Sequence, residues 1–480
     1  QHESAWRLPE TNLAGNTDID HYIHLARTAE CGLLDAIFFA DHPVLKRQAQ
    51  DRLFDTLDPF TLLAALSTAT ERIGLVATAS TTYNEPYNLA RRYATLDHVS
   101  RGRSAWNIVT TANADTAANF GDARHPGLFE RYQRAEEFVE VCIKLWDSWE
   151  DDAIVGDKAS GLLVDPNRIH PINHHGRHFS VRGPLEVPRS PQGRPVLFVA
   201  GSSEPGKNLS ARFADAIFTA QPDYQNALAF YRDIKSRVKG YGRNPDQVLV
   251  LPGLSFFLGG TEEEARALQE QFEDLTLPTY GLAQLNQLTR LNLTLDDLDS
   301  IFVLPEITEE RELSVRSRVE LLRHISQTER ITVRQLLRRL SAGRGHRIVA
   351  GTPEQVADTI GHWFTSGAAD GFNLIPPHCP VRSRPSSIMW CQSCRSAGCS
   401  APSTAAPRCA TTWGFQCPNP SVTSARASPA LPHHDPGRNR TAPGRRHLPR
   451  VSVCVRPDGS TGRPGTPSVT IDVRSVDLEI

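Results

Sequence analysis

A chain of 480 residues, 39% hydrophobic and 22% charged, is long enough to bury one large core or two ordinary ones. A net charge of −2 and an isoelectric point near 6.8 give no electrostatic ground for nucleic acid or an anionic membrane as the main partner. No apolar run reaches the ~18 residues that span a bilayer. No basic-then-apolar leader opens the sequence, so a cytoplasmic protein is expected, although the first residue is Gln1 rather than Met.

In chain order, apolar runs predict strands near residues 34–40, 72–78, 104–110, 195–200, 215–219, 248–257 and 371–375. Helical spacing falls between them, at 20–30, 85–99, 130–147, 224–239 and 353–366. The last helix opens on Thr352, Pro353 and Glu354: a hydroxyl cap, a proline in the first turn and an acid against the dipole. Strands that are apolar throughout and alternate with helices imply a parallel sheet covered on both faces. Seven strands is one short of a (β/α)8 barrel; the alternative, an open doubly wound sheet, lacks its usual G-x-G-x-x-G turn here. The stretches 150–192 and 276–345 are too long for simple connections and read as insertions.

Barrel enzymes carry their chemistry at the C-terminal ends of the strands. Those exits are polar in this chain. They bring Asp41 and His42, then Thr78, Ser80 and Tyr83, then Asn107, Thr110 and Thr111, and finally Ser202 and Ser203. Any one Asp or Ser after a strand fits a helix cap. Asn107, inside its strand, does not; an amide there can donate and accept toward a planar heterocycle, or be satisfied within the fold. In "AGSSEPGK", Gly201 turns the chain and Pro205 can start a helix whose free amides suit a phosphate.

The segments "ERIGLVATASTTYNEPYNLARRYATLDHVSRGRSAWNIVTT", "ERYQRAEEF", "KLWDSWEDDAIVGDKASG", "HHGRHFSVRGPLEVPRSPQGRPVLFVAGSS" and "VAGTPEQVADTIGHWFTSGAADGFNL" lie in order across residues 1–377. Together they resemble the group of bacterial-luciferase-like flavin monooxygenases that includes nitrilotriacetate monooxygenase component A, dibenzothiophene-sulfone monooxygenase and the pristinamycin synthase A subunit. The resemblance implies a (β/α)8 TIM barrel that takes FMNH2 from a separate NAD(P)H:flavin oxidoreductase. It implies a flavin C4a-(hydro)peroxide formed with O2, which oxygenates a small N- or S-containing substrate of xenobiotic type. It also implies homo-oligomers. Carried over by position, flavin contacts fall on Asp41, Thr78, Asn107, Tyr132, Ser202 and Ser203, and proton handling on His42 and His2. Relatives commonly carry a histidine four residues before this tyrosine, where Leu128 stands here; His125 is near but receives no role.

The resemblance also implies a first strand ahead of "QHESAWR", which would account for the count of seven. Beyond residue 377 the composition changes. The last 103 residues hold 13 Arg, no Lys, four Asp and one Glu, so this tail is +8 and the preceding part −10. Seven of nine cysteines lie there, leucine is scarce, and such a segment cannot offset its ordering entropy by burial. Read one base earlier in GC-rich codons, it can yield the terminal helix and ending that relatives carry. The expectation is a one-base frameshift near codons 377 to 378 and a disordered tail over 378–480. Cys391 and Cys394 then form no zinc site. With a strand missing on one side and a helix on the other, the strands at 34–40 and 371–375 would have open edges. Poor solubility or no activity is expected for the polypeptide as written.

Two other functions stay open. "RIHPINHHGRH" offers His170, His174, His175 and His178 to a metal-dependent hydrolase on the same barrel, although they sit in an insertion and no metal site is assigned. The other is an inactive frameshifted product.

Overall fold

The structure, a computed structural model, describes residues 2–45, 57–122, 124–305, 316–343 and 345–378, with the short stretches 454–457 and 469–472. The chain divides into two compact units, 1–399 with 451–480, and 400–450. The second lies outside the described residues, as does most of the tail on which the frameshift reading falls, from residue 379 to 453. Within the tail the described residues form one antiparallel ribbon, Cys454–Pro457 with Val469–Asp472.

The first unit is built on a parallel sheet. Strands β1 (Ala36–Phe39), β2 (Gly74–Ser80) and β3 (Ser104–Val109) come first. After two short ribbons, β4 (Ile154–Asp157) with β5 (Leu162–Val164) and β6 (His174–His175) with β7 (Ser180–Val181), follow β8 (Val196–Ala200), β9 (Ala216–Thr219) and β10 (Leu249–Leu258). The sheet ends with β11 (Arg347–Gly351) and β12 (Asn373–Ile375). Helices α1 (Ile19–Cys31), α2 (Pro59–Ala69), α3 (Pro86–Val99), α4 (Leu128–Trp146), α5 (Glu204–Phe213) and α6 (Tyr224–Gly240) alternate with the strands. Then come α7 (Glu262–Asp274), α8 (Pro278–Thr289), α9 (Arg316–Thr328), α10 (Val333–Gly343) and α11 (Pro353–Thr365). The order β1-β2-β3-β8-β9-β10 continues to β11, and β12 also pairs with β10.

All seven expected strands are present. The eighth, β11, lies just past the expected insertion 276–345, at residues where no strand is expected. It pairs with Leu254–Leu258, while β9 pairs with Leu249–Pro252 and β12 with Gly253–Ser255. β10 therefore serves the barrel wall with its first half and a side branch with its second. Among the described residues no strand lies between β12 and β1; there the backbone N–H of His2 donates to the Pro377 carbonyl at 2.6 Å.

Strand alternation separates two apolar layers. Val76, Ala105, Phe198, Ala216 and Leu251 meet on one side of the sheet, inside the barrel. Their sequence neighbours Ala77, Trp106, Val199, Ile217 and Val250 pack the other way, against the helices. Trp106 is fully buried there against Tyr93, Phe138 and Trp146.

Carboxylates fasten the strand starts. Glu30 Oε1 accepts the amides of Glu71 and Ile73 at 2.9 and 3.0 Å, and that of Arg72, just before β2. Asp97 accepts from Ser104 N at 3.3 Å, Asp215 from Leu197 N at 2.9 Å and Asp370 from Val250 N at 2.9 Å. Each occupies amides at or next to the start of a strand, where backbone donors would otherwise be left open. Since this bracing lies at the N-terminal end, the opposite rim is left for chemistry.

The insertion after α7 has its own core, in which Leu282 and Leu285 of α8 meet Leu322 and Ile325 of α9 and Leu336 and Leu337 of α10. The basic stripe on α10 is tied to acids: Arg334 pairs with Asp299, Arg338 with Asp274 and Arg339 with Glu329.

Candidate active site

Thr78 and Asn107 stand in register on β2 and β3, each 3% exposed, one inward step beyond Val76 and Ala105. Asn107 Nδ2 donates to Thr78 Oγ1 at 2.9 Å. Asn107 Oδ1 is buried and has no hydrogen-bond partner. A buried acceptor left unmet costs about 1–3 kcal/mol, which a bound donor would return. The walls around it are apolar: Phe38 meets Phe198 and Phe218 edge-on, with centroids 5.9 Å apart in each pair.

The next exit, after β8, is built as a helix start. Ser203 caps α5 by accepting from Gly206 N at 3.2 Å, and Pro205 occupies the first turn, as the sequence implies. Tyr132, from the first turn of α4, brings its hydroxyl to 3.5 Å from Ser203 Oγ. A Cβ on Gly206 would lie 3.0 Å from both of those oxygens, so glycine keeps the helix start accessible. Ser202 Oγ is 3.0 Å from Thr219 Oγ1 on β9. The sequence-derived contacts thus form two groups, Thr78 with Asn107 and Tyr132 with Ser203. The first sits on β2 and β3 and the second where β8 gives way to α5, and β3 pairs directly with β8, Asn107 opposite Phe198.

Asp41 and His42 follow β1, Asp41 half-buried and His42 exposed, beside the Pro43 carbonyl that accepts from Asn119 Nδ2 at 3.0 Å. His2 is 5% exposed and lies edge-on to Phe272 at 5.2 Å. Its Nδ1 is 2.7 Å from Ser4 Oγ, which reaches the Phe272 carbonyl at 2.8 Å. The two candidate histidines therefore differ, one at the surface and one packed.

Three features escape the sequence reading. His346, just before β11, stacks on Phe218 with centroids 5.1 Å apart and planes 10° apart, so its ring reaches the inner face of the barrel. The run "RIVAG" between Gly345 and Thr352 could have signalled the strand that delivers it. His125, given no role, has Nδ1 2.7 Å from the Tyr83 hydroxyl, whose ring also stacks on Phe120 at 4.7 Å. Burial pushes the Tyr83 phenol above its usual range. Arg131, 3% exposed, binds both threonines after β3.

His174 of the first insertion is a structural tie. His174 Nε2 lies 3.1 Å from Glu137 Oε1, and the Glu137 carboxylate also accepts the amides of His178 and Phe179 at 2.9 Å each. Burial would raise the Glu137 carboxyl; those hydrogen bonds outweigh it and hold it below the usual range. Among the described residues, no group of three or more His, Cys, Asp or Glu is arranged to hold a metal. No helix among them is long and apolar enough to cross a membrane.

Fold and site define the class: an enzyme on a parallel-strand barrel whose polar groups gather at the strand exits. Nitrilotriacetate monooxygenase component A of Aminobacter aminovorans is 46% identical over 392 residues, covering 79% of this chain and 86% of that protein. N-acetyl-S-(2-succino)cysteine monooxygenase of Bacillus subtilis is 43% identical over 380 residues, with the same two coverages. A riboflavin lyase solved with modified FMN and riboflavin superposes with a TM-score of 0.72 at 31% identity, covering 85% of this chain and 90% of that one. The chain belongs to the luciferase-like monooxygenase family, whose model matches residues 3–370, and it is a flavin-dependent monooxygenase.

Proposed function

We propose that residues 1–377 form the oxygenase of a two-component system, which takes FMNH2 from a separate NAD(P)H:flavin oxidoreductase and uses O2 to oxygenate a small substrate at nitrogen or sulfur. The observation that carries this reading is the unmet Asn107 Oδ1, buried beside Thr78 on the strand next to the α5 helix start. A planar heterocycle with hydrogen-bond donors fits the first, and a phosphate fits the second. The name "component A" of the Aminobacter relative supports a second, reductase component.

Reduced FMN, when bound, supplies the activation of O2. Thr78 and Asn107 orient the ring and meet its polar edge. Tyr132, Ser202 and Ser203 would hold the phosphate, and Asp41, at the exit of β1, would be a further contact. The apolar walls at Phe38, Phe198 and Phe218 exclude water from the reacting edge. His346 and the exposed His42, with the packed His2 as a further candidate, hold and move protons; imidazole is the side chain suited to that near neutral pH. The names of the two relatives point to substrates bearing carboxylates beside an amine or thioether.

Anaerobic titration with FMNH2 and with reduced riboflavin tests the reading. Tighter binding of FMNH2, weakened by Asn107→Ala and by Ser203→Ala, is expected. No affinity of the folded protein for FMNH2 would overturn it. A panel of aminopolycarboxylates and succinylated thiols, assayed with FMNH2 and O2, tests the substrate class.

A further inference from the structure

We propose that Arg131 is the positioning residue that seats the Tyr83–His125 pair at the barrel mouth, an inference that rests on the flavin reading only for its effect on binding. Arg131 Nη1 donates to the Thr110 carbonyl, Thr110 Oγ1 and the Thr111 carbonyl, at 3.1 Å each. Its Nε donates to the Pro126 carbonyl at 3.1 Å. One guanidinium thus holds the loop after β3 both where it leaves the strand and where it returns to α4. A forked, rigid donor set suits that task, and a lysine's single ammonium cannot reproduce it.

The held segments run directly to the pair. Thr111 Oγ1 donates to Ser80 Oγ at 2.7 Å, and Ser80 Oγ accepts the Tyr83 amide at 3.3 Å. Pro126 directly follows His125. Thr111 has φ +47°, a left-handed conformation that a β-branched residue adopts only when its surroundings impose it. Arg131 on its carbonyl and Ser80 on its hydroxyl are those surroundings. Tyr132, the next residue, meets Ser203, so the first turn of α4 braces the exits of both β3 and β8.

The test compares Arg131→Gln, Arg131→Lys and Tyr83→Phe in the whole chain. In the flavin-free protein, Arg131→Gln is expected to speed amide hydrogen exchange at least tenfold in peptides covering 112–122 and Thr82–Asn84, with α1 and β9 unchanged. Arg131→Lys should recover part of that protection. In FMNH2 titrations Arg131→Gln should weaken binding about tenfold in the parent but less than twofold in the Tyr83→Phe background, because both changes disable one unit. Exchange that is unchanged, or raised evenly across the barrel, overturns the proposal, as do additive effects of the two substitutions. Should the parent itself fail to bind FMNH2, the functional reading falls and the exchange arm alone decides on Arg131.

Discussion

His346 occupies the space that a side chain on Gly253 would need: a Cβ there would lie 2.2 Å from the imidazole Nδ1. The glycine in the middle of β10 is what lets a ring from beyond the second insertion lie flat against Phe218. Gly253→Ala should therefore drive His346 off its stack, at a stability cost of about 1–3 kcal/mol from overpacking. Product formed per FMNH2 consumed should fall at least tenfold, while FMNH2 affinity changes less than threefold. An alanine variant with parental yield would remove His346 from the proposed chemistry.

Asn107 and Thr78 allow a finer test. Thr78→Val removes the acceptor for Asn107 Nδ2 and leaves the amide with both polar ends unmet. Asn107→Ala removes the amide altogether. Truncating the amide should weaken FMNH2 binding about tenfold, equivalent to 1.4 kcal/mol. Thr78→Val should cost more in melting temperature than Asn107→Ala, since it strands a buried donor as well. Calorimetry with parallel flavin titration reads both effects.

Stability should depend on acid through Glu30. Burial raises its carboxyl, but the amides of Arg72, Ile73 and Glu71 together with the Arg72 charge outweigh that, and the group sits below its ordinary value of 4.5. A carboxyl depressed in the folded state contributes its full stabilisation above the unfolded value, and loses it as pH falls through the folded value. Unfolding free energy should therefore drop as pH is lowered from about 5 through the region below 4.5, and Glu30→Gln should flatten that slope. Above pH 5 the substitution should cost about 1–2 kcal/mol, the worth of charge-assisted bonds at a partly exposed site. Urea melts at several pH values decide it.

The first insertion should fail locally. A Cβ on Gly176 would lie 2.0 Å from Glu137 Oε1 and 2.7 Å from His174 Nε2, so Gly176→Ala must break the tie between α4 and the β6–β7 ribbon. Proteolysis should then cut within 170–182 at least tenfold faster, with FMNH2 affinity unchanged. Loss of flavin affinity would give this tie a part in the site.

The barrel was legible because its signals are local. Runs such as "GLVATAS" and "SAWNIV" are buried on both faces, and parallel strands show that as unbroken apolar sequence. Thr352, Ser203 and Pro205 announce their helices by cap chemistry within three or four residues. Asn107 stood out because an amide within such a run demands a partner. What stayed hidden depends on distant pairing. β11 is five residues long and gains its role only by aligning with the far half of β10. The tie made by His174 of "RIHPINHHGRH" stayed hidden because its partner, Glu137, lies on another element. The proposed flavin contacts came from resemblance; periodicity alone could not bring Tyr132 to Ser203.

Strand β10 belongs to two structures at once, the cylinder through Leu249–Ser255 and the outlying branch through Leu254–Leu258. The annex of helices between α7 and β11 is thereby grafted onto a single shared rod. Its packing can be rewritten, lengthened or exchanged without re-registering the staves of the barrel. A slip of β11 along β10 would shift that annex while leaving the pairing of β9 with Leu249–Pro252 in place.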